Sequence, residues 1–275
     1  MTATARANPG TSAQFLQNPT GLVDGILSGQ IIAQAVPAMS VQTVSLVVMR
    51  SGLQESIPDQ SLTITAAPAA GLVRCDMVQW NGTTINVKNG TAAAFGSVNP
   101  PSPDAGFIPL ALTMVFNGDT TVRNMGEIDS LTTSKGRIYA YYFARRGIYA
   151  ASQAGQNTTT SGDDPEVFLP LYHPRTGLIK FKGNGSAICN GASPSLGGLT
   201  GILKLDGTLI GRSTVKQEFN NNSGADGVST DQDALVTAMP RAAVTSGIHR
   251  WVVNWTFRAA GQTLTYRLME LEEVI

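Results

Sequence analysis

The sequence predicts an all-β fold: an N-terminal arm followed by two antiparallel β domains. Two observations carry that expectation. Apolar residues recur with period 2, while no long segment shows a 3.6-residue period. Asn-Gly and Asp-Gly pairs also punctuate the apolar runs where hairpins would turn.

Residues 1–29 are rich in Pro, Gly and Asn and read as an arm. Val41 to Met49 is Val-rich with Ser and Thr interspersed, and Ser61-Leu62-Thr63-Ile64-Thr65 alternates apolar and polar side chains. Both read as strands, the second half-buried. Leu72 to Trp80 and Thr84 to Val87 flank Asn81-Gly82, a hairpin signal because both residues tolerate positive φ. Asn99-Pro100-Pro101-Ser102-Pro103-Asp104 cannot join a ladder, since proline donates no backbone hydrogen bond. Leu110 to Phe116 is a strand closed by Asn117-Gly118-Asp119.

Composition shifts near residues 131–149, which read as a connector; Arg137 to Tyr149 is dense in Tyr and Arg. Residues 155–164 and 220–233 read as polar loops. Asp206-Gly207 turns a second hairpin between Ile202–Leu205 and Thr208–Ile210. In the strand Arg250–Arg258, Trp251, Val253, Trp255 and Phe257 share one face, the expected core face. Two short segments, Gly21–Ala33 and Asp231–Met239, are exceptions to the period-2 pattern and read as candidate helices.

Composition excludes several functions. The chain has 275 residues, with 19 Lys+Arg against 19 Asp+Glu and a net charge of zero. A nucleic-acid binder needs a basic surplus, because phosphate neutralisation supplies most of its affinity. Charged residues are 14% of the chain, too few for a long coiled coil, and 42% are hydrophobic, too many for a disordered chain. Zero net charge also removes one protection against self-association. Met1 to Gln14 has no apolar core of a secretory signal, and no run approaches the roughly 20 apolar residues of a membrane span. The expectation is a soluble protein that does not insert into membranes. Cys75 and Cys189 are expected to be buried free thiols, since two distant cysteines make no disulfide framework.

Chemistry-bearing residues are sparse. His173 and His249 are the two histidines, each expected as a strand-end or loop residue rather than a general base. No G-x-S-x-G, Walker A or H-E-x-x-H pattern occurs, and zinc would need more Cys and His. Asp163, Asp164 and Glu166 cluster, as do Asp226, Asp231 and Asp233; the latter group has loose calcium-loop spacing but lacks the D-x-D-x-D-G pattern and terminal glutamate, and reads as solvated. No catalytic, cofactor or metal residue is therefore assigned. The run holding Tyr139, Tyr141, Tyr142, Arg145 and Arg146 supplies the candidate contacts: a glycan-stacking platform, or aromatic filling of a core or subunit interface.

Several segments resemble a β module of tail, baseplate and fibre-associated proteins of tailed bacteriophages. They are Pro37-Ala38-Met39-Ser40-Val41, Arg74-Cys75-Asp76, Gly90-Thr91-Ala92-Ala93, the prolines 100, 101 and 103, Gly106-Phe107-Ile108-Pro109-Leu110-Ala111 and Glu127-Ile128-Asp129. Their order and spacing match the family over residues 30–130, with Cys75 where an aliphatic residue is usual. Ser246 to Trp255 and Arg267-Leu268 resemble the β-sandwich heads of phage fibres and decoration proteins. The resemblance implies a β-sandwich docking module at 30–130 and a jelly-roll-like head at 150–275. It implies a non-enzymatic virion protein and a homotrimer. Residues 1–130 would contact other virion proteins, and host-surface glycan is a candidate partner. The expected role is a tail- or fibre-type appendage in host attachment, the alternatives being head decoration (cement), a head fibre, or a glycan-degrading enzyme.

Overall fold

The computed structural model describes residues 22–125, 136–154, 162–189, 199–212, 214–215, 231–238, 244–257 and 262–274. Their regular structure is strand, apart from a single 3-10 turn at Phe95–Ser97. The first half holds β1 (Gly25–Ala33), β2 (Ser40–Arg50), β3 (Leu53–Ile57), β4 (Ser61–Thr63), β5 (Val73–Trp80), β6 (Ile85–Lys88) and β7 (Ile108–Phe116). Then come β8 (Arg137–Phe143), β9 (Gly147–Ala154), β10 (Gly162–His173), β11 (Leu178–Cys189), β12 (Leu199–Leu205) and β13 (Thr208–Arg212). The chain closes with β14 (Thr214–Val215), β15 (Asp231–Ala238), β16 (Gly247–Phe257) and β17 (Gln262–Val274).

Among the described residues these strands form a sheet of 13 and a sheet of 4. The larger runs β14-β15-β11-β17-β9-β8-β1-β2-β3, with β4 on β2, and with β6, β5 and β7 joined to it through β8. The smaller runs β10-β16-β12-β13. Pairing is antiparallel apart from a parallel contact of β1 with β8 at Ile26 and Phe143 and an isolated bridge between Arg123 and Arg137.

Strands β5 and β7 are buried along their whole lengths, which a sheet with one wet face would not allow. Side-chain alternation explains it. Val73, Cys75 and Met77 of β5, with Leu112, Met114 and Phe116 of β7, pack into one core together with Leu169, Leu203, Trp251 and Val253 of the smaller sheet. Val78, Trp80 and Val115 face the other way, into a second core with Ile26, Val41, Leu46 and Ile57 of β1–β3, and Leu110 joins them because a register shift between Pro109 and Ala111 breaks the alternation of β7. The molecule is thus a layered β-sandwich: β1–β4 over one face of β5, β7 and β8, and the smaller sheet over the other.

The turns follow the sequence. Thr83 and Thr84 donate their backbone N–H groups to Asn81 Oδ1 at 2.9 and 2.7 Å, and Gly82 takes a φ of +98°. Asp206 and Gly207 both have positive φ, as a two-residue hairpin requires. The proline segment is a loop, and Leu62 and Ile64 are the inward residues of their stretch.

Other expectations fail for stated reasons. Gly25–Ala33 and Asp231–Ala238 are strands, not helices, paired with β2 and β11. In β1 two register shifts around Ser28 break the alternation and give a helix-like spacing of Ile26, Ile31 and Ile32. The shift needs Gly29: a Cβ there would lie 2.2 Å from Ser45 O, and its φ is +79°. The strand also begins inside the segment expected as an arm; residues 1–21 lie outside the described residues. The expected connector at 131–149 supplies β8 and the start of β9, and the first core runs from Val73 to Leu271 across it. Most of the polar loops at 155–164 and 220–233, and Glu127 to Asp129, lie outside the described residues; β10 begins at Gly162 and β15 at Asp231.

Candidate functional site

Strand β8 and the turn after it carry the Tyr/Arg run, and the layering decides where each side chain goes. Tyr139 and Tyr142 are 0% and 2% exposed, held in the core between the central layer and β10. Their hydroxyls donate across that seam to Pro170 O and Tyr172 O, each at 2.8 Å. Burial pushes both phenols well above their ordinary pKa, so they remain donors. Tyr141 points to the opposite layer and donates to Ile31 O at 2.7 Å. Arg145 and Arg146 are exposed in the β8–β9 turn. The five do not share a surface: two tyrosines join the layers, a third braces β1, and the arginines face solvent.

Tyr141 also lines a cleft of about 470 Å³ between β1 and β8, with Ile26, Ile31, Met125 and Phe143. Its cause is topological. Strand β8 gives one edge to β9, and the other to β7 over Arg137–Tyr141 and to β1 at Phe143. Two strands cannot continue along one edge, so β1 leaves the plane.

The structure brings the two histidines together. Their ring centroids are 5.2 Å apart, edge to face. His173, at the end of β10, is 1% exposed and accepts a hydrogen bond from Trp251 Nε1 at 3.3 Å. Burial, with His249 and Arg175 nearby, pushes its pKa down to about 3. His249 Nδ1 lies 2.7 Å from Asp206 Oδ2, and Nε2 lies 3.0 Å from Thr245 O and 3.3 Å from Thr245 Oγ1. The other Asp206 oxygen accepts the Arg250 N–H at 2.8 Å. Arg250 in turn reaches the first half of the chain, donating to Asn99 Oδ1 at 2.9 Å and Ser97 O at 2.7 Å. Asp206 thus serves its own turn and a clasp between sequence-distant segments.

A further ionic contact, with a buried carboxylate, escaped the sequence reading. Glu273 of β17 is 4% exposed and accepts Arg175 Nη2 at 2.6 Å and the Ile148 N–H at 3.3 Å. Burial raises its pKa despite the arginine. Its sole sequence signal was an acidic residue in an alternating strand, which resembles any solvated strand end.

Trp251 and Val253 are fully buried, as expected; the side chains of Trp255 and Phe257 lie outside the described residues. Cys75 is a buried free thiol whose pKa is pushed up to about 12 by desolvation, whereas the side chain of Cys189 lies outside the described residues. Asp226 and the side chains of Asp163, Asp164, Glu166, Asp231 and Asp233 also lie outside them. Among the described residues no three His, Cys, Asp or Glu side chains are grouped to hold a metal ion, and no helix is long and apolar enough to cross a membrane.

No family model matches the chain, and no curated protein matches it. Among solved structures it is similar to the insecticidal delta-endotoxin Cry8Ea1 from Bacillus thuringiensis, with TM-score 0.23, 8% identity, and cover of 95% of this chain and 55% of that one. It is also similar to a chain of the infectious bursal disease virus Gx strain, with TM-score 0.24, 9% identity and cover of 90% and 68%. For the insecticidal crystal protein Cry2Aa the values are 0.23, 10%, 93% and 51%. The chain spans about half the length of either toxin. At these scores the likeness carries no argument about function.

Proposed function

We propose that this chain is a non-enzymatic structural protein of a tailed-bacteriophage particle, a tail- or fibre-type appendage component contributing to host attachment. One observation supports the reading most: two of the segments that resemble the phage module, Arg74-Cys75-Asp76 and Gly90-Thr91-Ala92-Ala93, are bonded to each other. Arg74 and Asp76 pair on β5, and Asp76 Oδ1 accepts the Gly90 N–H at 3.0 Å. Val73 and Ala93 exchange backbone hydrogen bonds at 2.8 and 2.9 Å. Two segments that belong to one structural unit should meet in this way.

On this reading residues 1–130 dock to other virion proteins, the chain self-associates as a homotrimer, and the outward half meets host glycan. Head decoration is the second reading. It is favoured by the core shared between the two halves, which suits a rigid plate better than a jointed appendage. Immunogold labelling of purified particles tests both: label on the tail tip or fibres supports attachment, label over the capsid supports decoration, and particles free of the protein overturn the proposal. Light scattering tests the trimer, and a monomer at micromolar concentration contradicts it.

A further inference from the structure

We propose that His173 and His249 form an acid-sensitive latch, in which protonation of His173 breaks its bond to Trp251 and loosens the Asp206–Arg250 clasp on Ser97 and Asn99. Donor and acceptor capacity fixes the state of the His173 ring. An indole N–H can only donate, so His173 Nε2 must offer a lone pair, and the ring in the folded state is neutral. His249 sits among oxygens instead: Nδ1 lies 2.7 Å from Asp206 Oδ2, and Nε2 lies within reach of Thr245 O and Thr245 Oγ1. The neutral His173 ring meets the His249 ring edge to face, at a centroid separation of 5.2 Å.

Acid therefore acts on His173. Its proton would abolish acceptance from Trp251 and set a buried cation against His249. The charged groups facing it come from every neighbouring element. His249 stands on β16, Asp206 in the β12–β13 turn, and Arg175 follows β10, tied to Glu273 of β17. The carboxylate of Asp206 is already shared between His249 and the Arg250 backbone. Relief comes from moving the rings apart. Asp206 and Arg250 move with them, because Asp206 N donates to Arg250 O and Arg250 N to Asp206 Oδ1. Arg250 is the residue that grips Ser97 and Asn99. The sign is fixed by the ring's pKa of about 3 when folded against an ordinary 6.5: stability is complete above 6.5 and is lost as pH falls toward 3. The inference does not depend on the proposed virion role.

The test uses the full chain and hydrogen exchange at pH 7 and pH 4.5, corrected for the intrinsic pH dependence of exchange. Protection of segments 95–100, 203–210 and 247–252 is expected to drop at least tenfold at pH 4.5 in the wild type. It should hold in His173→Gln, whose amide oxygen still accepts from Trp251 but does not titrate. Unchanged wild-type protection, or an equal loss in the variant, overturns the latch. Should the variant not fold, NMR of the wild type decides: His173 protonation must coincide with a shift of the Trp251 indole N–H signal, and protonation without that shift overturns the proposal.

Discussion

Arg74 and Asp76 stand two residues apart on one face of β5 and form a bidentate pair, Nε to Oδ1 at 2.7 Å and Nη2 to Oδ2 at 2.9 Å. Asp76 is 0% exposed and Arg74 8%. The guanidinium also donates to Thr65 O and Ala66 O, and Asp76 accepts from Gly90. The pair organises the strand ends around it. Asp76→Ala would leave a buried guanidinium without its carboxylate and should cost about 3–5 kcal/mol in urea unfolding. Replacing both with apolar residues of similar volume should cost much less. A single-variant loss below about 1 kcal/mol would show that the pair is incidental.

Gly90 is held by close approach. A Cβ would lie 2.0 Å from Cys75 O, a backbone atom that cannot swing away. Gly90→Ala should lower the melting temperature by several degrees, while Gly96→Ala, with open space around it, should leave it nearly unchanged. Equal effects would contradict the proposed convergence of the module's motifs.

Tyr139 and Tyr142 test the seam between the layers. Tyr139→Phe or Tyr142→Phe removes a buried hydroxyl bond and should destabilise by about 1–2 kcal/mol each. Neither should alter glycan binding, because neither ring reaches the surface. A glycan-array change in either variant with stability intact would return these residues to a binding role.

Cys75 should be inert. With its pKa near 12, the thiolate that reacts is a negligible fraction at pH 8. A chromogenic disulfide reagent should leave it unmodified in the native protein and label it after denaturation. Rapid labelling at pH 8 without unfolding would place Cys75 nearer solvent than its complete burial indicates.

The legible parts of the sequence were those whose signal is local. Asp206-Gly207 turned a two-residue hairpin with both φ positive, and Asn81-Gly82 opened a wider one in which Gly82 takes the positive φ and Asn81 Oδ1 accepts the Thr83 and Thr84 N–H groups. The inward placement of Leu62, Ile64, Trp251 and Val253 followed from strict alternation. Strand β1 was illegible because its bulge erases the alternation, and its partner Ser45 takes a φ of +47° that no sequence pattern announces. The double burial of β5 appears in sequence as a mixture of Arg, Cys, Asp and Gln with apolar residues; ion pairing inside the protein lets the charged ones stay there. The meeting of His173 with Trp251, 78 residues later, is a product of β10–β16 pairing and has no local signature.

The central structural claim is that β5, β7 and β8 serve both cores, so the two halves unfold together. Two double variants report on the two cores separately. Trp251→Phe with Trp255→Phe leaves Trp80, 5% exposed in one core; Trp80→Phe with Trp255→Phe leaves Trp251, 0% exposed in the other. Fluorescence in a urea titration should give the same midpoint as circular dichroism recorded on the same variant, for both proteins. A tryptophan transition separated from the circular dichroism transition, with a plateau between them, would mean two independently stable halves and would contradict the shared layer.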